Sequence, residues 1–380
     1  MNINLSVPMV YEEDYVKKII ELNKNRKKIT TKIYEVYGSL KEDIIGNLRP
    51  AETLKDVSKE KMKELIDVLH SNNIKFNYTM NATVSDGREY SSGGRKEILK
   101  FIDSLIRIGI DSFTITSPYL IRLIKEHFKD ANITASICNE IDTVQKAKQF
   151  EDIGVSCIVL NRDINRDFKM LKSIKEKNNC DIKVLCTTPC IYRCMDVYYH
   201  SNLSSTMSNE LKKAMKISTK EFSHTSVNCL YKKINNLYEN IKSPWIRPED
   251  MKYYAEIGIN YFKIDGRDKT AEYNLDVIKS YLDECFEGNL LYLMNDGYPK
   301  DMIQIANKLD VAYLKMGINN SSLNSFLQPF VNGSMNCRDG CDICKYCEKI
   351  AEKEVKVNEE WRDIFLQYLK CENRRRLEAN

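Results

Sequence analysis

Several common functional signatures are missing from the sequence. It has 14 Gly and 2 Trp in 380 residues, and no Gly-rich phosphate loop follows the first predicted strand. It also lacks the roughly 18–20 consecutive apolar residues that a membrane span requires. Residues Met1–Pro8 carry no basic segment followed by an apolar core, so no signal peptide is predicted. Neither H-E-x-x-H nor a Ser-His-Asp order is present, which leaves the familiar protease mechanisms without support.

Charge and cysteine content narrow the class further. The net charge of +4 is too small to indicate nucleic-acid binding by itself. Thirteen cysteines without an export signal predict a cytoplasmic protein, because a reducing compartment reserves cysteine runs for metals or redox chemistry. The bias toward Lys, Ile and Asn is typical of an AT-rich bacterial source. The terminal Arg374–Arg376 triplet is interpreted as a solvated helix end, with an RNA-contacting tail as the alternative.

Short β-branched runs alternate with amphipathic stretches such as 95–108 and 141–153. Gly109 and Gly154 stand just before two of the runs, where glycine commonly ends a helix. This order favours parallel βαβ units, and eight strands predict an α/β fold, a TIM-like (β/α)8 barrel with its site at the C-terminal strand ends. A doubly wound sheet is the competing fold. The predicted strands are Ile3–Val7, Thr30–Tyr37, Ile74–Met80, Ser112–Thr116, Ile133–Ile137, Cys157–Leu160, Ile182–Cys186 and Tyr261–Ile264.

The regular pattern breaks between Thr187 and Pro244, an interval too long for an ordinary loop. We expect a barrel domain over residues 1–330 that includes a cysteine-bearing insertion at 187–244. A small cysteine-rich and helical extension is expected over 331–380. Two further strands are predicted at Leu290–Met294 and Val311–Lys315, and a final helix at 358–376.

Cys190, Cys194 and Cys229 lie inside this interval, and Cys186, Cys190 and Cys194 are spaced four residues apart. If the segment is helical, the thiols of Cys190 and Cys194 face the same side and form a pincer for a metal. Cys186 is either a third ligand or a buried strand thiol. His200 and His224 are candidates for a missing ligand, or are ordinary histidines.

A second run, Cys337, Cys341, Cys344 and Cys347, puts four thiols within eleven residues. Its spacing resembles ferredoxin-type loops and predicts an iron–sulfur cluster. Tetrahedral zinc is the alternative, although zinc ribbons usually separate two knuckles by a longer stretch. The remaining cysteines are isolated and are assigned to packing.

Lys263, Asp265 and Arg267 alternate at the end of the eighth predicted strand, so they point to one side, and Gly266 allows a turn. Lys263 and Arg267 suit a carboxylate or phosphate, and a closing ion-pair network is the structural alternative. Arg162 with Asp163, Asn81, Ser136 and Glu35 end other strands, each as a candidate for either the site or the scaffold.

The segment 261–270, YFKIDGRDKT, closely resembles the K-I-E-G-R-x-K-S strand end of the collagenase-like peptidase family U32. Residues 244–250 (PWIRPED) and 257–259 (IGI) resemble its entry into the same strand. Residues 160–163 (LNRD) resemble its L-x-R-E strand end, and Asn81 its L-N position. The likeness runs in order over roughly residues 1–290.

The resemblance implies a barrel fold and, as in several relatives, a four-cysteine [4Fe–4S] cluster. Those relatives take part in oxygen-independent hydroxylation of quinone precursors or of RNA bases, whereas others are named peptidases. Cys186, Cys190, Cys194 and Cys229 lie where the family's cluster cysteines fall. The family's His-Gly before the first cysteine is absent, its wide middle spacing is compressed, and the terminal run is not a general family feature.

The functional expectation is therefore an iron–sulfur enzyme that modifies a small molecule, RNA or peptide by redox chemistry, with one or two clusters. Lys263, Asp265, Arg267 and Arg162 are its candidate catalytic residues. An electron donor or partner subunit is expected, and no membrane. The alternatives are a peptidase of the same family and a zinc-stapled RNA-binding protein without catalysis.

Overall fold

The structure, a computed structural model, describes residues 2–209, 224–294 and 316–378. Its main feature is a closed barrel of eight parallel strands in chain order, which confirms the predicted TIM-like fold. Each predicted strand is present with its ends shifted by at most two residues. The strands are β1 Ile3–Pro8, β2 Thr31–Gly38, β3 Lys75–Met80, β4 Ser112–Ile115, β5 Asn132–Ala135, β6 Cys157–Val159, β7 Asp181–Leu185 and β8 Tyr261–Lys263.

Helices follow the strands and cover the barrel. Those of the barrel are α1 Glu13–Lys24, α2 Lys59–His70, α3 Ser92–Arg107, α4 Pro118–His127, α5 Val144–Asp152 and α6 Phe168–Lys177. The remaining described helices are α7 Val197–Thr206, α8 His224–Asn235, α9 Tyr238–Lys242, α10 Met251–Glu256, α11 Ala271–Asp283, α12 Leu290–Leu293, α13 Gln328–Val331, α14 Cys341–Cys344, α15 Tyr346–Glu354 and α16 Glu359–Arg375. No helix in the described parts of the chain combines the length and apolar character that crossing a bilayer demands.

Helix α3 illustrates why the sequence folds this way. Ser91 begins it by accepting a hydrogen bond from the Gly94 amide. Ile98, Ile102 and Leu105 then recur on one face and are fully buried against the barrel. Each such burial stabilises the fold by about 1.5–3 kcal/mol.

The inside of the barrel is polar as well as apolar. Lys183 on β7 forms an ion pair with Glu35 on β2, and their side chains are 2% and 4% exposed. Strands β2 and β7 are not neighbours in the sheet, so this pair spans the barrel interior. Nearby, Thr114 donates a hydrogen bond of 2.6 Å to Asn77. These two interactions give Lys183, Glu35, Thr114 and Asn77 the partners that low-dielectric surroundings favour.

One local prediction is wrong, and one condition considered for the cysteines is not met. Residues Leu290–Leu293 form a helical turn rather than a strand, because Asn289 caps it through the Leu291 amide and leucine favours helix over β-branched geometry. Residues 190–196 form a turn rather than a helix, because Arg193 adopts a left-handed φ of +50°, and helix α7 begins only at Val197. The predicted strand at 311–315 lies outside the described residues.

The C-terminal extension packs on the insertion. Strand β9 (Met316–Ile318) pairs antiparallel with β10 (Val355–Val357), which joins residues on both sides of position 330. Helix α15 contacts α9, and α16 contacts α8. The final helix, capped by Asn358, buries Trp361, Phe365 and Leu369, while Ile364 stays 37% exposed.

Candidate functional site at the barrel mouth

The residues after β8 lie at the C-terminal end of the barrel, where barrel enzymes carry their sites. Lys263 pairs with Ser6 of β1 and Leu185 of β7, and the chain then turns at Gly266. Gly266 has φ +154°, and a Cβ there would stand 2.2 Å from the Asn274 side-chain oxygen. Asn274 in turn donates a 3.0 Å hydrogen bond to the Gly266 carbonyl. Helix α11 thus approaches the turn so closely that glycine is required.

Asp265 is held in an ion pair with Arg49, a residue of the long connection after β2. Their Nη2 and Oδ2 atoms are 2.6 Å apart. Burial works against the charge of Asp265, but Arg49, Lys263 and Arg267 outweigh it and lower its pKa to about 2. The Asp265 amide also donates to Thr187, the first residue of the insertion, at 2.8 Å. Asp265 therefore stays ionised and fastens two loops at the mouth.

Arg267 is 9% exposed, and its guanidinium donates hydrogen bonds to neutral oxygens. Its Nη1 donates to the hydroxyls of Ser39 and Thr79 at 2.9 and 2.8 Å, and its Nη2 to the Asn47 side chain at 3.4 Å. Burial comes first in lowering its pKa, followed by the nearby Arg49 cation. Since no carboxylate is hydrogen-bonded to it among the described residues, its charge is available to an anionic ligand.

Lys263 extends over the ring of Tyr37, with its Nζ 3.9 Å from the ring centroid. The side chain is half-buried. Burial and then the adjacent Lys183 cation lower the pKa of Lys263 to about 7, against the opposing effect of Asp265. Tyr37 is fixed from below, because its hydroxyl donates to the Ile264 carbonyl at 2.8 Å. About half of the Lys263 amines are thus neutral near pH 7, and the Tyr37 ring beneath the amine is held in place.

The end of β6 supports the cysteine-bearing insertion. Arg162 interacts electrostatically with Cys190, Glu140 and Asp163, which raise its pKa although burial opposes them. Its Nε is buried and has no hydrogen-bond partner among the described residues. Asp163 accepts a 3.2 Å hydrogen bond from the Arg193 amide. This contact positions the turn that carries Cys190 and Cys194.

Cys190, Cys194 and Cys229 share one neighbourhood at this turn. Burial raises the pKa of Cys229 to about 11, with Lys233 opposing and the two other cysteines adding to the rise. Lys233 of α8 also donates to the Pro189 carbonyl, which ties that helix to the turn. Within the described ranges, no group of three or more His, Cys, Asp or Glu side chains stands at metal-ligand spacing.

Cys186 is placed apart from these three cysteines. It is fully buried in the hydrophobic core, where burial raises its pKa. Its electrostatic neighbours are Tyr254 of α10 and Tyr281 of α11, on the helix side of the sheet. The structure thus places it as a strand thiol in the core.

The terminal run lies against the same side of the barrel. Cys337 and Cys347 both interact electrostatically with Cys341 and Cys344. Arg338 forms a 2.6 Å ion pair with Asp167 at the start of α6. Cys337, Cys341, Cys347 and Tyr192 line one cavity of about 20 Å³. The terminal run therefore lies beside the turn that carries Cys190 and Cys194, since Tyr192 belongs to that turn.

The predicted histidines differ in placement. His200 on α7 lies near Arg49 and Arg162, and burial followed by these cations lowers its pKa to about 4. His224 begins α8 and is half-buried. Of the strand-end candidates, Asn81 donates a 3.3 Å hydrogen bond to Ser136, whereas Glu35 belongs to the ion pair deeper in the barrel.

Sequence reasoning missed Arg49, Tyr37 and Asn47. Tyr37 was predicted in the second strand, but its side chain was not predicted at the barrel mouth. Arg49 and Asn47 belong to the unusually long connection between β2 and α2, residues 39–58. Loop length was the available signal, because long loops at strand ends are often functional.

A cavity of about 520 Å³ opens beside the mouth. Its lining includes Met9, Tyr11, Ser39, Thr53, Lys55 and Arg267. Lys263 and the cysteines do not line it. Arg267 therefore connects this cavity with the mouth, where the other candidate residues lie.

The chain is similar to known proteins in sequence and in structure. The model of peptidase family U32 matches residues 21–314. The Uncharacterized protease MJ1657 of Methanocaldococcus jannaschii is 28% identical over 342 residues, 90% of this chain and 95% of the relative. The solved structure of the U32 peptidase Mk0906 shares 16% identity and covers 70% of this chain and 94% of its own, with a TM-score of 0.49. With the family model covering most of its length, the chain belongs to peptidase family U32.

Proposed function

We propose that this protein is an enzyme that uses an iron–sulfur cluster at the barrel mouth for redox modification of an anionic organic substrate. The observation that carries the proposal is the meeting of Cys190, Cys194 and Cys229. They come from two chain segments and meet beside Arg162.

The donor set suits such a cluster, because thiolates are the common ligands of iron–sulfur centres. Arg162 offers a buried Nε without a partner among the described residues, and Lys233 is buried next to Cys229. Both cations would offset the negative charge that thiolates bring. The three thiols must move together on binding, since they are not at ligand spacing. Cys186 is left out of the proposed set because it lies in the core.

The chain's own residues would bind and orient the substrate. Arg267 presents a buried guanidinium without a carboxylate hydrogen-bonded to it among the described residues, and Lys263 adds a second nitrogen near the same ring of Tyr37. A carboxylate of a small molecule or peptide, or a phosphate of RNA, matches this pair. When bound, the cluster supplies electron transfer, for which an external donor protein is required.

For the terminal run, we propose a second cluster, with zinc as the alternative, because four thiols in one segment suit either. Three of these cysteines line a cavity with Tyr192, which belongs to the turn of Cys190 and Cys194, and this supports a site close to the first group. Such proximity favours a relay of electrons toward the mouth.

The test is the iron, sulfide and zinc content of protein purified without oxygen, together with absorption near ~400 nm. Cys194→Ser is expected to lose the iron of the first group, and Cys344→Ser the metal of the terminal run. Cys371→Ser is the matched control, since Cys371 is exposed on α16 and outside both groups. Colourless wild-type protein that contains zinc alone would contradict the proposal.

A peptidase is the second candidate, favoured by the name of the family and of its archaeal relative. It predicts that cleavage of a defined peptide depends on Lys263, Asp265 and Arg267 but survives Cys194→Ser. The redox proposal predicts instead that Cys194→Ser loses activity.

A further inference from the structure

Lys263 combines properties that an anion-binding role does not require. Its Nζ forms no hydrogen bond or ion pair with another described residue, although carboxylates lie close by. Asp265 is engaged by Arg49, and Glu35 by Lys183. The amine therefore stands at the mouth without the salt-bridge partner that keeps most buried lysines charged.

We propose that the amine of Lys263 is a nucleophile that captures a small carbonyl compound bearing a carboxylate, as an imine, while Arg267 holds the carboxylate. The proposal goes beyond the redox function and does not depend on the cysteines. The two nitrogen groups share the Tyr37 ring, with Nζ 3.9 Å and the Arg267 Cζ 5.9 Å from its centroid. The two groups therefore lie at most about 10 Å apart, beside the same ring at the mouth.

Every element around the amine contributes to its charge state. Glu35 and Tyr37 face it from β2, Lys183 from β7, and Cys138 from the segment after β5, while Asp265 and Arg267 follow it in the loop after β8. Burial and Lys183 come first and lower its pKa to about 7. About half of the amines are then neutral at pH 7, against about one in 10³ for a lysine with an ordinary pKa of about 10.4.

The chemistry balances without an oxidant or reductant. The nitrogen lone pair attacks the carbonyl carbon, and a proton of the amine moves to the carbonyl oxygen to give a carbinolamine. Loss of one water then leaves a C=N bond between Lys263 and the substrate. The imine withdraws electrons from the adjacent carbon, as lysine Schiff bases do.

The experiment uses the full chain, pyruvate as the probe, and borohydride to reduce any imine to a stable amine. Peptide mapping by mass spectrometry then locates the adduct. At pH 7 we expect labelling at Lys263 to exceed that at exposed Lys279 by about 10³-fold, from the ratio of neutral amines. Lys263→Arg keeps a cation and should abolish the adduct, whereas Lys279→Arg should change nothing.

Acetone separates the two parts of the proposal, because it is a ketone without a charge. We expect pyruvate to label Lys263 more than acetone does, and Arg267→Gln to remove that preference. Labelling of wild-type protein spread over surface lysines, with Lys263 unmodified, would overturn the proposal even if the variants fail to fold. Equal labelling by both ketones would overturn the role of Arg267. Neither result bears on the metal content that tests the redox function.

Discussion

The ion pair between Lys183 and Glu35 gives a prediction whose size follows from its burial. Both side chains are almost inaccessible, and the Glu35 carboxylate also accepts hydrogen bonds from the hydroxyls of Ser6 and Tyr34. Lys183→Met removes one charge and leaves the other buried. Breaking a buried pair in this way costs about 3–5 kcal/mol of unfolding free energy. An exposed pair would cost about 0–1 kcal/mol.

The matched variant removes both charges. Lys183→Met combined with Glu35→Gln leaves no uncompensated ion, so its unfolding free energy should fall within about 1–2 kcal/mol of the wild type. Urea unfolding followed by circular dichroism of the wild type, both single variants and the double variant measures the coupling. Single variants that each cost less than about 1 kcal/mol would refute the reasoning.

The pH dependence of this pair has a definite sign. Burial opposes the charge of Glu35, but Lys183 and the hydroxyl donors outweigh it and lower the pKa of Glu35 in the folded protein. The ionised Glu35 therefore stabilises the fold above its unfolded-state pKa of ~4.3. This stabilisation is lost as pH falls through the folded-state pKa. Lys183 has a raised pKa, since Glu35 outweighs its burial. The charged Lys183 therefore stabilises the fold fully below its unfolded-state pKa of about 10.4. This stabilisation is lost as pH rises through the folded-state pKa. The stability of the wild type relative to the double variant should therefore fall at both pH extremes.

Three further changes test the mouth and the extension. Arg267→Lys keeps the charge but loses the hydrogen bonds to the hydroxyls of Ser39 and Thr79. The unfolding free energy measured in urea should fall by about 1.5–3 kcal/mol, and an unchanged unfolding midpoint would contradict this expectation. Arg49→Ala should raise the pKa of Asp265 from about 2, which carboxyl NMR titration can measure, and an unmoved titration would show that the ion pair is unimportant. Trp361→Ala should cost about 3–5 kcal/mol in thermal or urea unfolding because Trp361 is 1% exposed, whereas Ile364→Ala on the same helix should change little.

The barrel could be predicted from the sequence because its strands are short β-branched runs separated by helices of clear periodicity. The same reasoning failed at Leu290–Leu293, where four residues are too few to distinguish a buried strand from a helical turn, and the capping Asn289 decided the outcome. Lys263, Asp265 and Arg267 were predicted at the mouth from their position at a strand end and from the family resemblance of that segment. Their partners were not, because Arg49 lies 216 residues from Asp265 and no local pattern links them.

The cysteines show the same limit. The four-residue spacing of Cys190 and Cys194 forms a pincer only in a helix, and the segment is a turn because Arg193, between them, has a left-handed φ. The sequence alone is equally compatible with Cys186 as a metal ligand and as a buried core thiol. Only the side of the sheet on which its side chain lies distinguishes the two, and its tyrosine neighbours put it on the helix side.

The buried pair beneath Lys263 also connects stability with chemistry. Among charged groups, Lys183 has the largest effect on the pKa of Lys263, and the effect of Glu35 is smaller. Removing both in the double variant should therefore raise that pKa, since the loss of the like charge outweighs the loss of the carboxylate. Imine trapping by pyruvate at pH 7 should fall, and its dependence on pH should move upward, while the fold remains intact by circular dichroism. An unchanged pH profile would show that burial alone sets the charge state of Lys263, and that the ion pair serves the barrel without influencing the amine above it.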